Sequence, residues 1–167
     1  MIVAVDYGAG NLANVLKAFR YLGEEVSASS SPTTIRQADG IILPGVGAFG
    51  SAMDELKKRR LDQVLYEEAK AGKPLLGICL GMQLLFDESD EFGVHEGLHL
   101  IPGSYTYFVH SYYAKCGQQY VVSYTNYGVK VPSCVEFKNV YGMQFHPEKS
   151  GEKGLEMLER FIERVDE

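Results

Sequence analysis

Hydrophobic positions along this chain follow two alternating rhythms. Ile2-Val3-Ala4-Val5, Gly40-Ile41-Ile42-Leu43 and Pro74-Leu75-Leu76-Gly77-Ile78 are short, continuous apolar runs, as strands buried on both faces should be. A further strand is expected around Glu25 to Ser29, ahead of the polar stretch Ser29-Ser30-Ser31-Pro32. Between these runs apolar residues recur at helical spacing. Leu12, Val15, Leu16, Phe19 and Leu22 lead to a closing Gly23. Helical patterning returns from Ala52 to about Ala71, with a break near Arg60, and again at Met82, Leu84, Leu85 and Phe86. Strands alternating with helices imply βαβ units and a mostly parallel sheet.

The second half changes character. Tyr105 to Val109, Tyr120 to Val122, Cys134 to Phe137 and Val140 to Phe145 read as strands with short connections, with a hairpin turn at Lys138-Asn139. Leu155, Leu158, Phe161, Ile162 and Val165 put one apolar stripe on a terminal helix. The expected fold is α/β: a mostly parallel central sheet with helices on both faces, plus antiparallel strands in the C-terminal half. Residues 1–167 are expected to form a single domain, without repeat, low-complexity tract or linker.

Composition narrows the function. The 167 residues carry 16 basic and 22 acidic side chains, a net charge of −6, and no tryptophan. An acidic chain without a basic face argues against nucleic acid as a partner. No apolar run approaches the roughly 18 residues of a membrane span. The N-terminus lacks a basic lead and a cleavage site, so a cytoplasmic protein is expected. Cys79, Cys116 and Cys134 are too few and too scattered for a disulfide framework or a paired-cysteine zinc site.

One cysteine has a chemical context. Gly77-Ile78-Cys79-Leu80-Gly81 sits at a strand end, just before helical patterning, as a G-x-nucleophile-x-G elbow with sulfur as the nucleophile. The flanking glycines permit a cramped turn, and a helix N-terminus is expected to stabilise the thiolate. The N–H of Leu80 is expected to face the oxygen of a tetrahedral intermediate. Cys116 and Cys134 lack such a setting and read as structural. A thiolate nucleophile needs a base, and His146 in Gln144-Phe145-His146-Pro147-Glu148 suits the task. Proline keeps the preceding His146 extended, and in an extended segment Glu148 points the same way and orients the imidazole.

Two other motifs are weaker. His95-Glu96-Gly97-Leu98-His99 fits H-E-x-x-H, but that pattern binds zinc only on a helix, and Gly93, Gly97 and Pro102-Gly103 point to a loop. Gly8-Ala9-Gly10-Asn11-Leu12-Ala13 resembles a dinucleotide loop, yet Ser29-Ser30-Ser31 stand where an acidic ribose ligand is needed. The acidic stretch Asp87 to Glu91 reads as a solvated helix end and loop.

Several segments together resemble the class I (triad) glutamine amidotransferases, and within them most closely the glutaminase subunits of imidazole glycerol phosphate synthases. They are Asp6-Tyr7-Gly8-Ala9-Gly10-Asn11-Leu12, Pro44-Gly45-Val46-Gly47-Ala48-Phe49-Gly50, the elbow running on to Phe86, Phe108-Val109-His110-Ser111-Tyr112, and Gln144 to Ser150. The resemblance implies that Cys79 attacks the side-chain amide of L-glutamine to form a thioester, with His146 as proton carrier and Glu148 orienting it. It implies an oxyanion hole from the backbone of Leu80 and Val46, and glutamine contacts from Gly47, Gln83, Ser111 and Tyr112. No metal or other cofactor is implied. The implied partner is a (β/α)8-barrel cyclase subunit, joined as a heterodimer, which receives the ammonia in a step of histidine biosynthesis.

The chain departs from that family at one place. Family members continue past the counterpart of Gly103 through a further strand and a Pro-His-Met-Gly-Trp-Asn segment before the Tyr-Phe-Val-His-Ser-Tyr strand. Here Gly103 is followed directly by Ser104-Tyr105-Thr106-Tyr107-Phe108. The absent segment packs, in the family, at the cyclase-facing side. Two other readings stand beside the first: a glutaminase subunit of another pathway, such as anthranilate synthase, and a binding module that keeps the elbow without complete activity.

Overall fold

The computed structural model describes residues 1–8, 10–108 and 112–167. Along the chain run β1 (Ile2–Val5), α1 (Leu12–Tyr21), β2 (Val26–Ser29), α2 (Pro32–Gln37), β3 (Gly40–Leu43), α3 (Phe49–Lys58) and α4 (Leu61–Lys70). Then come β4 (Leu75–Ile78), α5 (Leu80–Leu84), β5 (Glu88–Ser89), β6 (His95–Glu96), β7 (Tyr105–Phe108) and β8 (Tyr112–Lys115). The last elements are β9 (Val121–Tyr127), β10 (Val129–Phe137), β11 (Val140–Met143) and α6 (Gly151–Asp166).

Seven strands form the central sheet in the order β2-β1-β3-β4-β11-β10-β9. The first five are mutually parallel, and β10 and β9 close the edge antiparallel. The expected α/β fold is therefore observed, including its antiparallel C-terminal portion. Alternation along β1 divides the core between two faces. Val3 and Val5 join Ile41, Leu43, Leu56, Leu61 and Leu65 on the α3–α4 side. Ile2 and Ala4 join Val15, Phe19, Leu158 and Phe161 on the α1–α6 side. Every residue of β1, β3 and β4 is buried, so continuous apolar runs were required there.

Local chemistry sets several boundaries. Gly23, at φ 85°, takes the left-handed conformation just past α1. Arg60, at φ 57°, breaks the long helical stretch into α3 and α4, as the patterning predicts. The polar serines begin a helix that the hydrophobic pattern does not reveal. Ser31 caps α2 by accepting the Thr34 N–H at 3.4 Å, and Pro32 occupies the first helical position. Helix α5 is shorter than its apolar residues suggest, ending at Leu84.

A second sheet, in the order β6-β5-β7-β8, covers residues that the sequence reading left as acidic loop. Glu88-Ser89 is a strand rather than a solvated helix end, pairing with β6 on one side and parallel with β7 on the other. His95-Glu96 is likewise a strand, so His95 and His99 never share a helical face. His99 instead meets Asp87, with Nδ1 3.1 Å from Oδ1.

Asp87 organises the short connection into β7. Its Oδ2 accepts the Gly103 N–H at 2.7 Å, and its own N–H donates to the Ser104 carbonyl at 3.0 Å. Its carbonyl accepts the Gly97 N–H at 2.8 Å, while the buried Ser104 hydroxyl donates to the Ile101 carbonyl. Asp87→Ala removes the carboxylate contacts to Gly103 and His99, and the turn's N–H loses its acceptor. The expected cost is about 1–3 kcal/mol in a urea titration. Variation at neighbouring Glu88, whose exposed side chain makes no such contact among the described residues, is expected to cost less.

Candidate active site

The parallel strands β1, β3, β4 and β11 all end on one edge of the sheet, where open α/β sheets present their functional crevice. Four segments leave that edge: Tyr7, Pro44-Gly45-Val46-Gly47, Cys79 and Gln144 to Glu148. Register brings the last two together. Ile78 lies opposite Met143, and the Cys79 N–H donates to the Met143 carbonyl at 2.7 Å.

Cys79 adopts φ 56°, ψ −115°, a conformation that side chains other than glycine rarely take. The flanking glycines serve close approach rather than positive φ. A Cβ on Gly81 would stand 1.8 Å from the Leu43 carbonyl oxygen, and one on Gly77 would stand 2.6 Å from the Gly81 oxygen. Burial pushes the Cys79 thiol above its ordinary range, a hydrogen bond from the Leu80 backbone pulls it down, and the Glu148 charge pushes it up again. The expected thiolate stabilisation by the helix end is thus outweighed by burial, and α5 is only five residues long. A thiol held protonated in this way needs a base before it can act as a nucleophile.

At the same edge the His146 ring is held by Glu148. Nδ1 lies 2.8 Å from Oε1, and because an ionised carboxylate only accepts, Nδ1 carries the proton and Nε2 is the basic nitrogen. The pairing arises differently from the extended geometry expected from sequence. His146 itself is extended, but Pro147–Lys149 forms a single 3-10 turn that brings Glu148 back beneath the imidazole. Helix α6 packs tightly on that turn. The Ser150 hydroxyl donates to the His146 carbonyl at 2.6 Å, and a Cβ on Gly154 would meet the Pro147 carbonyl oxygen at 2.0 Å. The Glu148 side chain is 1% exposed and the His146 side chain 27%, so a buried carboxylate backs an accessible imidazole.

The Pro44–Gly47 loop lies across from the elbow. Tyr7, fully buried, donates its hydroxyl to the Pro44 carbonyl at 2.8 Å. Burial and the neighbouring Cys79 charge both push the Tyr7 phenol upward, so it stays a neutral donor. A Cβ on Gly45 would stand 2.7 Å from the Tyr7 hydroxyl and 3.0 Å from the Gly81 nitrogen. Beyond this contact the loop is open: Val46 is 45% exposed, and Gly47 sits at φ 100° with no atom near the position of a Cβ.

Gln83, expected to meet substrate, is nearly buried and donates from Nε2 to Gln144 Oε1 at 3.1 Å. Ser111 lies outside the described residues, as does the side chain of Tyr112, whose backbone pairs on β8 opposite Phe108. Cys134 pairs on β10 opposite Met143, one strand beyond the elbow, and is buried there; burial pushes the Cys116 thiol up to about 11. Among the described residues no cluster of histidine, cysteine or acidic side chains has the makings of a metal site. No helix among them is long and apolar enough to cross a membrane.

Tyr7 and Gln144 are site residues that sequence reasoning passed over. Gln144 stands two positions before His146, a detectable signal, whereas nothing in the sequence ties Tyr7 to Pro44.

Comparison with known proteins places this geometry. The family described as Glutamine amidotransferase class-I matches residues 3–96 and 93–165. The imidazole glycerol phosphate synthase subunit HisH of Listeria innocua is 44% identical, covering 98% of this chain and 95% of that subunit. The HisH subunit of Lactiplantibacillus plantarum is 45% identical, covering 99% and 96%. The Listeria alignment runs over 198 positions against the 167 residues here, so at least 31 of the relative's residues have no counterpart in this chain. The two family matches meet at residues 93–96, upstream of Gly103. In fold, the chain resembles a crystal structure of a glutamine amidotransferase, with a TM-score of 0.80 at 17% identity over the full length of both chains. It also resembles PurLQS from Thermotoga maritima, with a TM-score of 0.68 at 16% identity over 98% of each. This chain belongs to the class-I glutamine amidotransferase family and, within it, to the HisH subunits of imidazole glycerol phosphate synthase.

Proposed function

We propose that this chain hydrolyses glutamine to glutamate and ammonia through a thioester on Cys79. The ammonia then passes to a (β/α)8-barrel cyclase subunit, in a cytoplasmic heterodimer that makes imidazole glycerol phosphate for histidine biosynthesis. The observation that carries the reading is the His146–Glu148 pair, 2.8 Å apart, set beside a nucleophile elbow at the same sheet edge. His146 Nε2 takes the Cys79 proton, and the sulfur attacks the side-chain carbonyl carbon of glutamine. The oxygen becomes negative, and the N–H groups of Leu80 and Val46 stabilise it. Collapse breaks the carbon–nitrogen bond while His146 delivers its proton to the departing ammonia. His146 then deprotonates a water that cleaves the thioester and restores the thiol. Gly47, Gln83, Ser111 and Tyr112 hold the substrate, and Glu148 keeps the imidazole in the correct tautomer. Gln83 is oriented for this by Gln144.

The test is glutamate release measured with and without the cyclase and its nucleotide substrate. Release stimulated by the partner supports the reading; no thioester and no glutamate under any condition sinks it. The absence of at least 31 residues present in the Listeria subunit favours one second reading, an intact triad without coupling. That reading predicts the same basal glutamate release whether or not the cyclase is present.

Glu148→Gln separates two roles of the buried carboxylate. Its charge opposes ionisation of Cys79, so the variant thiol is expected to ionise at lower pH. Its hydrogen bond holds His146, so turnover is expected to fall by about 10²–10⁴-fold. Alkylation of Cys79 by iodoacetamide should therefore accelerate at pH 8 while glutamate release slows. In the unsubstituted protein the raised thiol pKa predicts alkylation that still climbs with pH beyond the ordinary thiol range, without an earlier plateau.

A further inference from the structure

Tyr7 is a fully buried phenol at the sheet edge that no step of the proposed reaction uses. Its backbone is pinned on both sides. The Asp6 N–H donates to the Ser29 carbonyl at 2.9 Å, and the Gly8 N–H donates to Asp6 Oδ1 at 3.2 Å. The side chain therefore projects from a fixed support just past β1, and its hydroxyl donates to the Pro44 carbonyl at 2.8 Å. A peptide unit is planar, so holding that oxygen also fixes the direction of the Gly45 N–H and the place of the Gly45 Cα. Gly45 is where the loop meets the elbow. A Cβ there would stand 2.7 Å from the Tyr7 hydroxyl, 3.0 Å from the Gly81 nitrogen and 3.0 Å from the Leu80 Cβ. The loop's far end is fixed as α3 begins, where the Phe49 N–H donates to Glu91 Oε2 at 2.6 Å and the His95 ring crowds Gly50. Only Gly45 to Ala48 lie between these two anchors, and the glycines at 45 and 47 leave that stretch little stiffness of its own.

We infer that Tyr7 is a positioning residue for the oxyanion-binding loop: by holding the Pro44 carbonyl it aims the Val46 N–H at the same point as the Leu80 N–H. The inference rests on the assignment of Val46 and Leu80 to the oxyanion hole. Those two donors belong to separate segments, and the contact of Tyr7, Gly45 and Gly81 sets their spacing. Tyr7 acts through the loop. Its hydroxyl proton is engaged by a backbone carbonyl and its ring is buried, so it is not placed to carry a proton or to bind glutamine. Oxyanion contacts strengthen in the transition state, so loosening them lowers kcat and leaves KM in place.

The test is Tyr7→Phe, which removes one oxygen and keeps the ring, in the full chain with its cyclase partner. In steady-state glutamate release, kcat is expected to fall by about 10-fold or more with KM within about 2-fold. Alkylation of Cys79 by iodoacetamide forms no oxyanion and reports only the thiol, so its rate at pH 8 should stay within about 2-fold. The Gly45 amide should exchange with solvent about 10-fold faster while the amides of β3 keep their protection. Alkylation slowed in step with kcat would make Tyr7 a partner of the thiol and overturn the inference. An unchanged kcat, a raised KM or an unchanged Gly45 exchange rate also overturns it. Loss of β3 protection, or failure of the variant to fold, would assign Tyr7 to the core alone and overturn it too. A protein that releases no glutamate even before substitution defeats the proposed function, and the alkylation and exchange arms, which need no turnover, then decide the role of Tyr7.

Discussion

Cys79→Ala should abolish glutamate release while leaving the fold intact. The substitution removes the elbow sulfur proposed to form the thioester, and alanine fits wherever the cysteine backbone does. Loss of a nucleophile that acts in concert with its base costs on the order of 10⁴–10⁶-fold in turnover, far more than loss of an orienting or oxyanion group. Residual rate from the loop and elbow N–H groups falls below detection in an ordinary glutamate assay. Positive φ at residue 79 is carried equally by cysteine and alanine, so the thermal midpoint should stay within a few degrees. Trapping with radiolabelled glutamine completes the measurement: a thioester forms in the unsubstituted protein and none in the variant. Turnover retained in Cys79→Ala would assign the chemistry to another group and remove the triad from the mechanism.

Gly81→Ala is expected to do comparable damage by a different route, through the fold. The added Cβ would stand 1.8 Å from the Leu43 carbonyl oxygen and 2.8 Å from its carbon. Both are backbone atoms at the end of β3, a fully buried central strand, so no flexible side chain is available to yield. Relief requires the elbow to leave the sheet edge or β3 to leave β4, and either separates Cys79 from the loop that faces it. The expected destabilisation exceeds about 4 kcal/mol, the range reserved for overpacked cores and strained backbone. A thermal melt should show a midpoint lowered by at least about 10 °C, or the protein should fail to accumulate in soluble form. Gly72→Ala is the contrasting control. Nothing approaches its Cβ position, and the cost is confined to its φ of 101°.

The two substitutions mark how far the chemistry is legible in a linear sequence. The elbow is legible in the glycine spacing around a cysteine at a strand end, and the proposed nucleophile follows from it. The reason for those glycines is tertiary: Gly81 meets β3, and Gly45 meets both Tyr7 and Gly81. His146 and Glu148 are legible as a pair two residues apart, yet the turn that joins them is a 3-10 turn locked by α6, not the extended strand that proline suggests. The acidic stretch is the clearest departure. Asp87 and Glu91 look like solvent-facing charges, but each carboxylate accepts a backbone N–H more than a dozen residues away. Composition gives no sign of this, because a hydrogen bond to a distant amide leaves no periodicity behind.

Hydrophobic patterning alone determined the parallel strands, the main helices and the antiparallel edge, since burial on one face or two imposes a period on the residues themselves. Motif spacing alone singled out the cysteine and the histidine proposed as nucleophile and base. The register that sets Ile78 beside Met143, and so Cys79 near His146, is decided only in three dimensions. So are the second sheet, the grip of Glu91 and His95 on α3, and the closing of the short connection by Asp87. Strand order and side-chain-to-backbone contacts depend on which segments pack together, and that pairing is settled by the whole buried core rather than by any local run of residues.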